Sequence, residues 1–158
     1  MSFTAFGPIY KATCALLPER LDSPQAKAML FAISMQESRL DERRQIGGPA
    51  RGFWQFELGG IQGVLTQAAS RPLIRQVLDR LDYDYRPETS YMAIEHNDVL
   101  AFAYARCLLW TLSAPLPQEQ QADEGWAQYL EAWRPGKPYH ATWAGFYTRA
   151  WTYAKAST

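Results

Sequence analysis

The sequence predicts a mainly α domain, of the α+β kind, in which helices surround one small β element around residues 44–58. Three observations carry that expectation. Apolar residues recur at spacings of three and four along most of the chain, the signature of helices with one buried face. The turn signal Gly47-Gly48-Pro49 is followed by Phe53, Trp54 and Phe56, a run that suits a short strand. At 158 residues and 47% apolar, with no repeat, low-complexity tract or linker, the chain reads as a single domain over 1–158. That length is enough to bury a core.

Taken in order, Pro8 is placed to open a short helix bearing Tyr10, Cys14 and Leu17, which ends near Pro18. Ser23-Pro24 is a start signal, with Ser23 as N-cap and Pro24 at the first helical position. Ala26, Met29, Leu30, Ile33, Glu37 and Leu40 then share one face, and Gln25, Lys27, Ser34 and Ser38 form the solvated one. Asp41 to Gln45 is a charged link, and Gly59-Gly60 breaks the strand. Helical patterns follow over Ile61–Ala68 and from Pro72 to Leu81, then a polar loop over Tyr83–Ser90. Ala93–Leu112 is the longest helical run and the expected central helix. After the proline-containing loop 113–121, Asp123 caps a helix aligning Trp126, Leu130 and Trp133. Pro135 to Pro138 ends it, and a last helix spans about Thr142 to Ala154.

Composition narrows the function. Sixteen basic residues balance sixteen acidic ones, which removes the simplest electrostatic case for a nucleic-acid partner. No stretch approaches the roughly 20 apolar residues of a membrane helix, so membrane insertion is not expected. The first residues lack a basic leader and an unbroken apolar core, which suggests a protein made in the cytoplasm without a secretory signal. Cys14 and Cys107 match no metal-ligand spacing and read as buried thiols. His96 and His140 pair with no nucleophile, and no zinc or phosphate-loop motif is present, so neither a cofactor nor a metal is implied. Oligomeric state is not set by the sequence. Fourteen per cent aromatic content, with six Trp and nine Tyr, fits either a large core or a groove lined with flat faces for sugars.

Glu37 is the one carboxylate interrupting the apolar stripe. Burial there disfavours its ionised form, and a carboxylic acid that keeps its proton near neutrality is what glycosidic cleavage needs at the leaving oxygen. The alternative is a buried Glu paired with Arg106 or Arg51 for structural reasons.

Glu37-Ser38, followed by Gly48-Pro49-Ala50-Arg51-Gly52-Phe53-Trp54-Gln55, resembles the lysozyme superfamily. The similarity is to lytic transglycosylases of the soluble, goose-lysozyme-like type and their phage relatives. There a Glu-Ser pair ends a helix, and a Gly-Ala-x-Gly-Leu-Met-Gln segment follows on a small β element. Asn97, Ala101 and Tyr104 resemble the family's Asn-Ile-x-x-Gly-x-x-Tyr helix, with Asp98 for Ile and Ala101 for Gly. Gly125-Trp126 through Ala132-Trp133-Arg134-Pro135-Gly136 resembles its Trp-to-Tyr-Asn-x-Gly segment. The likeness runs from about residue 25 to 137, and it departs at Trp133-Arg134, where the family has Tyr-Asn.

The resemblance implies a peptidoglycan-cleaving enzyme with Glu37 as general acid and base. Ser38, Gly52, Phe53, Trp54, Gln55, Tyr104, Trp133 and Arg134 are its expected substrate-binding residues. Trp133 is positioned to stack on a sugar, Arg134 to hold a lactyl or peptide carboxylate, and Tyr104 also fits a core role. Glu57, two residues after Gln55 on the expected strand, is a possible second carboxylate that activates water. Together with the missing signal, the likeness suggests a phage enzyme, released by a holin-type partner or carried in a virion. Two other readings stay open: a glycan-binding or structural virion component on the same scaffold, and a chitinase-like glycosidase.

Overall fold

The computed structural model describes residues 3–157, with the side chain of Phe3 left out. Eight α-helices run along these residues: α1 (Phe3–Cys14), α2 (Pro24–Ser38), α3 (Leu58–Thr66), α4 (Arg71–Arg80), α5 (Pro87–Ala93), α6 (Asp98–Trp110), α7 (Ala122–Trp133) and α8 (Trp143–Ala156). Single 3-10 turns sit at Glu19–Leu21 and His140–Thr142. The expected mainly α architecture is present.

The expected β element is not. Among the described residues the segment contains only two isolated bridges, Arg44 with Arg51 and Arg51 with Phe56. The reason is packing. A strand sends successive side chains to opposite faces, whereas Phe53 and Trp54 are both fully buried. The chain achieves this by turning, with positive φ at Gly52 (72°) and Gln55 (50°). Trp54 then donates from Nε1 to Leu30 O at 2.9 Å and packs edge-on against Phe102. Glu57 therefore does not share a strand face with Gln55; it is the exposed N-cap residue of α3.

Helix α2 is central and nearly encircled, packing chiefly on α8 and also on α6. Ser23 caps it as expected, its hydroxyl accepting from Ala26 N–H at 3.0 Å. Its supposed solvated face is half wrong, since Ser34 and Ser38 are buried. They are tolerated because each hydroxyl bonds a backbone carbonyl within the helix, that of Phe31 or Ser34. Pro8 lies inside α1 rather than at its start, and Gly59-Gly60 lies inside α3. The long run expected over 93–112 is shorter, helical only as α6 from Asp98 to Trp110, because α5 ends at Ala93 and residues 94–96 turn. Asn97 starts α6, its side chain accepting from Leu100 N–H at 3.0 Å. Cys107 is buried as expected, whereas Cys14 is only half-buried.

Candidate functional site

Helix α2 stops just after Glu37 and Ser38, through two consecutive left-handed residues, Arg39 (φ 54°) and Leu40 (φ 58°). Such backbone costs about 1 kcal/mol or more per non-glycine residue and persists only where packing over-determines it. Here Leu40 is buried, and its N–H donates to Ser38 Oγ at 3.2 Å. The same Oγ lies 2.8 Å from Phe53 O. From the other side Trp133 Nε1, at the end of α7, donates to Trp54 O at 2.8 Å. The 52–55 turn is thus clamped between the end of α2 and the end of α7.

Gly52 is required in that turn. Its φ is positive, and an added Cβ would stand 2.9 Å from Ile94 O and 3.5 Å from Ala101 Cβ. A small residue at 101 completes this close approach to α6.

Between these elements lies an open groove of about 770 Å³. Glu37, Gln55, Glu57, Trp133 and Arg134 all line it. Glu37 is mostly buried and makes one hydrogen bond, accepting at Oε1 from the Tyr129 phenol at 2.5 Å. Among the described residues no cation pairs with it. Arg51 pairs with Glu95, and Arg106 donates to Leu21 O, so neither neutralises Glu37. Burial therefore dominates, pushing the Glu37 pKa from 4.5 up to about 7, with the Tyr129 bond acting in the opposite direction. The reciprocal effect on Tyr129 is upward, by burial first and then the Glu37 charge.

Tyr129 is the residue that sequence reasoning missed. It is hidden because the spacing aligns Trp126, Leu130 and Trp133 along α7, while the buried side is Gly125, Gln128 and Tyr129. Its position one turn before Trp133, on the same helix face, is the signal that points to it. The ring is held by a near-parallel stack on Trp143, with centroids 5.5 Å apart, and by Trp126 at 5.2 Å.

The remaining expected residues divide cleanly. Gln55 is held by its amide nitrogen on Gly52 O at 2.8 Å and lines the groove. Trp133 is half-buried against Phe56, and Arg134 is exposed in a left-handed C-cap conformation, φ 48°. Ser38, Gly52, Phe53, Trp54 and Tyr104 do not line the groove. Tyr104 is fully buried, with its phenol bonded to Ser90 Oγ at 2.6 Å, and burial raises its pKa. No cluster of three or more His, Cys, Asp or Glu side chains suited to a metal occurs among the described residues.

No family model matches the chain, and no curated protein and no solved structure matches it at a significant level.

Proposed function

We propose that this protein is a glycosidase of peptidoglycan, cleaving the β-1,4 bond between N-acetylmuramic acid and N-acetylglucosamine. One observation carries the reading: a mostly buried carboxylate on an open groove, without a cationic partner among the described residues, whose burial raises its pKa to about 7. The residue pattern around Glu37-Ser38 and the 48–55 segment supplies the substrate class.

In this reading the Glu37 carboxyl donates its proton to the glycosidic oxygen as the C1–O bond breaks, leaving an oxocarbenium-like sugar. Ionised Glu37 then takes a proton back. Taken from the muramyl 6-hydroxyl, it yields a 1,6-anhydro end, the transglycosylase outcome. Where water attacks instead, the enzyme is a muramidase, and Glu57 is the second carboxylate on the groove available as base. Trp133 offers a partly exposed ring to a sugar face, and Arg134 a cation to the lactyl or peptide carboxylates. Access to the wall would follow holin-type release or carriage in a virion. No helix among the described residues is long and apolar enough to cross a membrane.

Purified cell walls test this. Wild type releases muropeptides and Glu37→Gln is slower by on the order of 10²–10⁴-fold. Mass spectrometry assigns the chemistry, because an anhydro end is lighter than a reducing end by one water. Binding without release by wild type identifies a glycan-binding component instead, and cleavage of chitin oligomers in preference to cell walls identifies a chitinase-like enzyme.

A further inference from the structure

Arg106 stands out as a buried cation that the proposed chemistry does not use. It lies on α6, only 5% exposed, and Nε donates to Leu21 O at 2.8 Å, pinning the Glu19–Leu21 turn to the helix. Nη1 is buried without a hydrogen-bond partner. The pinned turn brings up a second arginine. Arg20 lies with its Cζ 5.8 Å from the Trp110 ring centroid, and Arg106 lies with its Cζ 5.5 Å from the same centroid. Neither guanidinium forms an ion pair among the described residues. Asp22, whose field reaches Arg106, is engaged by the Tyr10 phenol and bonds neither arginine.

Two cations held over one indole without a counter-ion are costly, the more so for the buried one. Both line an open hollow of about 560 Å³, together with Trp110, Ser23, Gln25 and Gln118. The hollow shares no lining residue with the groove that Glu37 faces. A separate cavity of about 10 Å³, also lined by Arg106, has room for at most one water. Such a water satisfies Nη1 yet leaves Arg20 and the charge of the hollow uncompensated.

We propose that this hollow is an oxyanion-binding site, in which Arg20 and Arg106, set over Trp110, clamp one carboxylate or phosphate group. The exposed Arg20 guanidinium offers a planar fork that matches either oxyanion, Arg106 adds its charge and its remaining Nη2, and the Trp110 ring lies beside both. The site is independent of the glycosidase reading, and its test does not depend on catalysis.

The test titrates inorganic phosphate, and separately acetate, into the full chain at constant ionic strength balanced with sodium chloride, following tryptophan fluorescence and Tm. At least one oxyanion gives a saturable change that chloride does not. Which one responds separates a phosphate-bearing source from a carboxylate-bearing one. R20A weakens binding about tenfold or more, with R20K intermediate because it keeps the charge and loses the fork. W110F removes the fluorescence response while the Tm shift persists. Titrations that superimpose on chloride, or R20A binding as tightly as wild type, overturn the proposal. Arg20 is exposed and makes no hydrogen bond among the described residues, so R20A folds even if Arg106 variants do not.

Discussion

At the scale of single residues, the behaviour of Glu37 follows from its surroundings. A mostly buried carboxylate that, among the described residues, has one phenolic donor and no cation has its pKa pushed up to about 7. The rate of wall cleavage therefore falls as pH rises through about 7, which a pH–rate profile reads directly. Tyr129 favours the ionised form, so Tyr129→Phe moves the alkaline limb of that profile to higher pH. Stability carries the same signature with a definite sign. A carboxyl whose folded pKa lies above its unfolded value binds more protons in the folded state, so stability is lost as pH rises from about 4.5 through 7. Glu37→Gln removes that loss. Its Tm exceeds that of wild type at pH 8.5 by the equivalent of about 3 kcal/mol, and the gain vanishes at pH 4. A gain that does not change with pH contradicts burial as the cause.

Among the elements, the decisive contacts are those that end α2 and hold the 52–55 turn. Ser38 joins them, so Ser38→Ala leaves Phe53 O and Leu40 N–H short of a partner and costs about 1–3 kcal/mol in denaturant unfolding. Gly52→Ala costs more than about 1 kcal/mol, from its positive φ and the approach of Ile94 O. These elements also mark how far the sequence was readable. The Ser23-Pro24 start was legible because capping is local chemistry. The strand expectation failed because Phe53 and Trp54 obey the core rather than the alternation of a strand, a tertiary demand that no window of sequence displays. Tyr129 was hidden for a related reason: α7 is aromatic on more than one side, and only its packing on Trp143 selects the inner face.

For the whole molecule, a nearly encircled helix delivers one acid to the edge of the core. The groove there draws on α2, α3, α7 and the loops between them, segments far apart in the chain. Glu37 was legible as the polar break in an apolar stripe, and Gln55, Glu57, Trp133 and Arg134 were legible as candidates. That these five share a groove while Ser38, Gly52, Phe53, Trp54 and Tyr104 do not is a property of the assembled fold. The measurement that bears most directly on the account is a titration of the Glu37 side-chain carboxyl by carbon-detected NMR, assigned by its loss in Glu37→Gln. The account predicts a midpoint of about 7, well above the ordinary 4.5. A midpoint near 4.5 would mean a solvated carboxylate that holds no proton at neutral pH, and would contradict Glu37 as the acid.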